Sequence, residues 1–165
     1  KREDEKVSDF VHQRLSEDGV TVHTNHQVIK VSVVNGTKTI ICRHQEETVE
    51  IPFDEILVAV GRAANTDGLG LDELGVDLTQ GGTISVNEFL QSSIPTIYAC
   101  GDVAGPYQFT HTASHQAWYA AVNSLFGMFK KFKVDYKVIP WATFVDPEVA
   151  RVGINEQEAK AQHQL

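Results

Sequence analysis

The feature that most limits how this chain folds is an unbroken apolar run, Ile56-Leu-Val-Ala-Val60, which leads directly into Gly61 and Arg62. A segment apolar at every position suits a strand covered on both faces, as in a parallel sheet. It is the longest such run, and far below the ~20 residues a membrane-crossing helix needs, so a membrane span is excluded. A second run, Ile97-Tyr-Ala-Cys100, reads as another buried strand and stops at Gly101-Asp102. In open α/β sheets ligands bind at the carboxyl ends of strands, so both strand ends are candidate sites.

Around these runs the pattern alternates between helix and strand periods. Val7, Phe10, Val11 and Leu15 recur at helical spacing, and Gly19 ends that helix. Residues 20–23 alternate as a short strand. Residues 27–34 and 38–42 alternate too, joined by Asn35-Gly36, a strong hairpin signal. Further strands are expected at 48–51, 83–86 and 138–145, the last interrupted by Pro140 and followed by an Asp146-Pro147 turn. Residues 112–129 carry Ala117, Ala120, Ala121, Val122 and Leu125 at helical spacing. Residues 130–133 form a basic connector. Asn155 with Glu158 has the spacing of a capping box opening a last helix.

Charge and cysteine usage narrow the function. Among 165 residues, 14 Lys and Arg against 22 Asp and Glu give a net charge of −8. That balance argues against a nucleic-acid partner, which needs clustered cations. Cys42 and Cys100 lie far apart and form no CxxC or metal pattern, so a reducing cytoplasm is the expected compartment. Cys100 is expected to be a small buried hydrophobe, and Cys42 an exposed or half-buried strand residue. No apolar leader follows Lys1 and the first residue is not Met, so the chain reads as a processed or excised piece.

Three segments could carry chemistry. At Gly101-Asp102 the glycine lets the backbone turn and the carboxylate could accept hydrogen bonds from sugar or ribityl hydroxyls; an ordinary Gly-Asp turn explains the same residues equally well. Phe109-Thr-His-Thr-Ala113 opens a helix, whose first turn offers unpaired N–H groups and partial positive charge to an electron-rich ring edge. Thr112 as a plain N-cap is the simpler account. His111 and His115 are four apart, but no third ligand is near, so no metal site is assigned. Gly61-Arg62 could meet a phosphate or carboxylate, or form a surface ion pair. There is no G-x-G-x-x-G, P-loop or G-x-S-x-G.

In order, these segments resemble the C-terminal portion of the FAD-dependent pyridine nucleotide-disulfide oxidoreductases, the class I group that includes dihydrolipoamide dehydrogenase and mercuric reductase. Val60-Gly-Arg-Ala-Ala-Asn65 resembles the family's Gly-Arg-x-Pro-Asn, with Ala64 in place of Pro. Ser92-Ser-Ile-Pro-Thr-Ile-Tyr-Ala-Cys-Gly-Asp102 resembles its second flavin fingerprint, and Phe144-Val-Asp-Pro-Glu-Val-Ala-Arg-Val-Gly153 the opening of its dimerisation domain.

The resemblance implies an α/β fold made of pieces: the second half of a Rossmann-like NAD(P)-binding domain at 1–60, a returning segment of the FAD-binding domain at 61–134, and the start of an α+β dimerisation domain at 135–165. It implies FAD and NAD(P) as cofactors, with Asp102 on the ribityl chain and Gly101 at its turn. The backbone of His111, Thr112 and Ala113 would face the flavin ring, Gly61 would lie near the nicotinamide nucleotide, and Arg62 near the domain join. The parent would be a homodimer passing hydride from nicotinamide to flavin and electrons to a small-molecule disulfide or metal substrate. The family's redox cysteine pair and catalytic His-Glu pair lie outside this window, so no catalytic residue is assigned and the piece alone is expected to be inactive. The rival expectation is a non-catalytic oligomerisation or scaffold unit.

Overall fold

A computed structural model describes residues 3–162. The elements in chain order are α1 (Glu5–Glu17), β1 (Gln27–Val34), β2 (Thr37–His44), β3 (Glu47–Phe53), α2 (Leu71–Leu74), a 3₁₀ turn (Gly101–Val103), α3 (Thr110–Phe126), β4 (Pro140–Thr143), β5 (Val149–Val152) and α4 (Glu156–Ala161). They divide into two compact units. One comprises Lys1–Val60, Ala142–Ala150 and Asn155–Leu165; the other comprises Gly61–Trp141 and Arg151–Ile154.

The first unit is built from local signals. Its helix α1 ends where Gly19 takes φ +84°, a left-handed conformation that glycine adopts without a Cβ clash. Phe10, Val11 and Leu15 of α1 line a small cavity together with Phe144, Val145 and Pro147. The strands β1, β2 and β3 form an antiparallel meander. Asn35 (φ +50°) and Gly36 (φ +83°) supply the two left-handed residues of a two-residue hairpin, whose twist matches that of the strands. A bulge between Val28 and Lys30 interrupts the β1–β2 register. At the other end of the unit, α4 is held by the expected capping box. Asn155 Oδ1 accepts from the Glu158 N–H at 2.8 Å, and Glu158 Oε2 accepts from the Asn155 N–H at 2.9 Å. The Asp4 carboxylate also accepts from the Glu156 and Gln157 N–H groups at 3.2 and 3.3 Å, so a second side chain caps the same helix end.

In the second unit Val76, Ile84, Ala99 and Ala104 form the core, with Leu71, Val86, Ile94, Ile97 and Val103 against it. Helix α3 inverts the usual arrangement. It buries Thr112, Gln116 and Asn123, and leaves Trp118, Leu125 and Phe126 exposed. Asn123 shows why a buried amide is tolerated. Its Nδ2 donates to the carbonyls of Phe89 (3.0 Å) and Phe132 (2.8 Å), and its Oδ1 accepts from the Phe132 N–H (2.8 Å). Every polar atom is matched, so burial carries no unpaired group.

Several expectations are corrected. Residues 20–23, 56–60 and 83–86 are not strands, and Thr83–Val86 contributes only the single bridge Leu78↔Ile84. Residues 97–100 are extended but make only the bridge Gln91↔Tyr98. Among the described residues no strand pairs with 56–60, and Leu57 and Val60 are each 91% exposed. A strand exists only where another supplies its ladder partners, whatever its composition. The cysteine expectations reverse as well: Cys42 is buried and Cys100 half-buried. Cys42 sits on the central strand opposite Val28 and Val49, covered from both sides, whereas Cys100 has only a bridge beside it. The α3 boundaries shift to 110–126, with Phe109 rather than Thr112 at the N-cap. The strand at 138–145 contracts to β4, with Pro140 as its first residue, where a missing N–H is tolerated. The short helix α2 and strand β5 lie in stretches whose sequence carries no periodic signal for them.

Two substitutions test these supports. Asn123→Ala strands two carbonyls and one N–H, each costing about 1–3 kcal/mol when buried and unpaired. It should therefore lower stability by about 3 kcal/mol or more in urea denaturation, whereas the exposed Ser124→Ala should cost under about 0.5 kcal/mol. Gly36→Ala meets no neighbouring atom within 4 Å. Its cost should be backbone strain alone, about 1–2 kcal/mol in the same assay.

Candidate functional site

The candidate site lies within the second unit, where the segment ending at Cys100 turns into α3. Cys100 is extended (φ −145°, ψ 162°), and Gly101 then takes φ +78°, so the chain folds at once into the 3₁₀ turn. The Gly101 carbonyl accepts from the N–H groups of Ala104 and Gly105 at 3.0 and 3.1 Å. A side chain at Gly101 would sit 3.4 Å from the Ala113 Cβ besides adopting a strained backbone. Glycine is thus required by conformation, and the space beside it is closely filled by α3.

This turn points Asp102 outward, its side chain 51% exposed. Arg62 Nη1 lies 3.9 Å from Asp102 Oδ2, the outer limit of an ion pair, while Arg62 Nη2 donates to the Gln108 carbonyl at 2.6 Å. The sequence left Arg62 open between a ligand contact and a surface pair; it has the surface pair, and its head remains accessible. Asp102 keeps acceptor capacity on both oxygens, since a carboxylate has about four acceptor positions.

The start of α3 adds donors. No side chain caps it, so the first-turn N–H groups carry the partial positive charge of the helix end. His111 is exposed, its ring stacked on Phe109 with centroids 5.3 Å apart. Tyr107, Tyr136 and Trp141 continue this aromatic group, and the Arg151 guanidinium lies over Trp141 at 4.0 Å. Thr112 is fully buried, and among the described residues its hydroxyl has no hydrogen-bond partner. An uncapped helix start, packed through Ala113 against the glycine that precedes an outward carboxylate, is the polar inventory that a hydroxyl-rich, electron-rich ligand would complete.

Of the residues singled out from sequence, the fold brings Arg62, Gly101, Asp102 and Ala113 together, with His111 and Thr112 in the same helix turn as Ala113. Gly61 does not join them: it is exposed, with φ +140° and open space where a Cβ would be. Among the described residues no group of three His, Cys, Asp or Glu side chains could hold a metal ion.

Sequence reasoning missed Gln116. It is fully buried, and its Oε1 accepts from the Gly101 N–H at 2.5 Å while its Nε2 donates to the Gly105 carbonyl at 2.6 Å and the Tyr136 hydroxyl at 2.8 Å. Burial pushes the Tyr136 phenol above its ordinary pKa, and the hydrogen bond from Gln116 offsets only part of this. The available signal was the spacing of Thr112, Gln116 and Asn123, which share one helix face by steps of four and seven. Tyr136 and Gly105 also border a cavity of about 460 Å³, which neither Asp102 nor Arg62 lines.

Known proteins match this chain along nearly all of it. A dihydrolipoyl dehydrogenase from Bacillus subtilis is 35% identical over 159 residues, which is 96% of this chain and 33% of that protein. A mercuric reductase from Staphylococcus aureus is 38% identical over 160 residues, 95% of this chain and 28% of that protein. Among solved structures, a Cu(II) complex of an HOCl-induced flavoprotein disulfide reductase mutant from Escherichia coli superposes with a TM-score of 0.84 at 27% identity. That superposition covers 98% of this chain and 35% of that one. The chain thus spans about a third of the length of the relatives it matches, and its mixed helix-and-strand architecture is that of pieces of a Rossmann-like flavoprotein reductase. Residues 1–117, more than half of the sequence, match the pyridine nucleotide-disulphide oxidoreductase family, and the chain belongs to that family.

Proposed function

We propose that this chain is part of an FAD-dependent NAD(P)H:disulfide oxidoreductase and supplies contacts to the flavin. The reading is carried by one constellation: an outward carboxylate at Asp102, held on a tight glycine turn against the uncapped start of α3, in a chain that superposes on a flavoprotein disulfide reductase. Bound FAD supplies the two-electron carrier between nicotinamide and a disulfide or metal substrate. Asp102 accepts hydrogen bonds from the ribityl hydroxyls and so fixes the polyol tail. The first-turn N–H groups of His111 and Thr112, and the partial positive charge of the helix start that Ala113 continues, favour an anionic ring edge. Gly61 lies near the nicotinamide nucleotide, and Arg62 near the join of the NAD(P)- and FAD-binding domains.

In this reading residues 1–60 belong to the NAD(P)-binding domain, 61–134 to the FAD-binding domain and 135–165 to the start of the dimerisation domain of a cytoplasmic homodimer. No helix among the described residues is long and apolar enough to cross a membrane. The two cysteines, Cys42 and Cys100, are both free. They lie on separate elements, so neither is assigned as the redox thiol, and the 165-residue chain alone has no turnover.

Two measurements test this. Flavin fluorescence titration of the full-length protein should show Asp102→Ala weakening FAD by about tenfold or more, since hydrogen bonds to a charged group contribute ~1.5–3 kcal/mol; an unchanged affinity would remove Asp102 from the site. Stopped-flow mixing of the isolated chain with NADPH, FAD and a disulfide should show no multiple turnover. Sustained turnover would overturn the assignment of the thiols and acid–base pair to other segments and favour a self-sufficient enzyme.

A further inference from the structure

We infer that Gln116 is the positioning residue that sets where the Asp102 carboxylate stands, a role that rests on the flavin reading above. Three observations point to it. The side chain is fully buried, so its hydrogen bonds are shielded from water. It spans the turn that carries Asp102, accepting from Gly101 immediately before it and donating to Gly105 three residues after it, at 2.5 and 2.6 Å. Its remaining donor is taken by Tyr136 at 2.8 Å, so the amide is fixed from a third direction and cannot flip without losing contacts on both sides. Among the described residues no side chain grips Asp102 closely: Arg62 stands at 3.9 Å, and both groups are more than half exposed. The conformation of the turn, rather than a direct partner, therefore decides where the carboxylate points. Gln116 touches no reacting group; it acts through the backbone.

An amide is needed here because the turn presents one donor and one acceptor to the same side chain. Glu at this position keeps the volume and the acceptor for the Gly101 N–H. When ionised it has nothing to donate to the Gly105 carbonyl, and two electron-rich oxygens then face each other in a dry site. When protonated, the carboxylic acid donates and reproduces the amide. Burial favours that neutral form. The other titratable and charged groups around the position are Tyr136 in direct contact, Tyr107 beside Tyr136, and Asp102 with Arg62 on the turn side. The Tyr136 phenol stays protonated over the range tested, because its pKa is raised from an already high value.

The test uses the full-length flavoprotein and measures FAD affinity by flavin fluorescence from pH 5.5 to 8.5, with far-UV circular dichroism on the same samples. Wild type should be flat across this range. Gln116→Glu should bind FAD within about twofold of wild type at pH 5.5 and at least tenfold more weakly at pH 8.5, with the dichroism unchanged. In an Asp102→Ala background the pH-dependent loss should shrink to under twofold, because the carboxylate being positioned is gone. The inference is overturned if Gln116→Glu binds FAD equally at both pH values or if its loss is additive with Asp102→Ala. Should the dichroism change, Tyr136→Phe, which removes only one of the three contacts, must give a smaller loss of FAD affinity that also vanishes without Asp102, and failure of that also overturns the inference. Absence of FAD binding by wild type would instead overturn the flavin reading itself, and with it this role.

Discussion

The second unit depends on two amides that a helix of ordinary amphipathicity would show to water. Gln116 and Asn123 lie on the inner face of α3, and each satisfies three polar groups that would otherwise be buried without partners. Each hydrogen bond adds only about 1 kcal/mol net, but leaving a buried partner unpaired costs about 1–3 kcal/mol. The asymmetry makes these contacts directional constraints. Apolar packing tolerates sliding by a few tenths of an ångström, whereas a donor and acceptor in the wrong place lose their partner. Helix α3 is thereby fixed relative to the 3₁₀ turn at one end and to the Phe89 and Phe132 backbone at the other.

What the sequence discloses and what it hides divide along the range of the interactions. Helix α1 with its Gly19 stop, the hairpin at Asn35-Gly36 and the capping box of Asn155 and Glu158 are all decided within a few residues, and all form as expected. Residues 20–23, 56–60 and 83–86 look like strands by composition, but a strand requires a neighbour that local sequence cannot supply. Cys42 and Cys100 exchange their expected environments as well, because burial is set by what packs over a side chain in the fold and not by local composition. At the site, Asp102 and Arg62 were legible because a glycine at the end of an apolar run is an unusual pattern. Gln116 was not, because an isolated glutamine in a helix is ordinarily a surface residue.

The apolar run at 56–60 is informative through this conflict. Composition makes it an interior strand, yet Leu57 and Val60 stand in the open. The chain spans about a third of its relatives' length. On the proposed reading, the missing neighbours are the other strands of the NAD(P) domain, and the run is an inner strand awaiting its sheet. The exposed Met128, Phe129 and Phe144 pose the same demand for cover.

Magnitudes also decide how Arg62 acts. Its pairing with Asp102 at 3.9 Å, with both groups more than half exposed, belongs to the class of surface ion pairs that contribute about 0–1 kcal/mol. Its hydrogen bond to the Gln108 carbonyl is far shorter, at 2.6 Å, so the guanidinium is anchored to backbone and only leans toward the carboxylate. On the proposed reading, a tighter bidentate grip would occupy the acceptor positions that a polyol needs. A loose cation leaves the carboxylate's acceptor positions open. Aim must then come from the backbone beneath it, which is why a buried amide two helical turns into α3 matters to a residue it never touches.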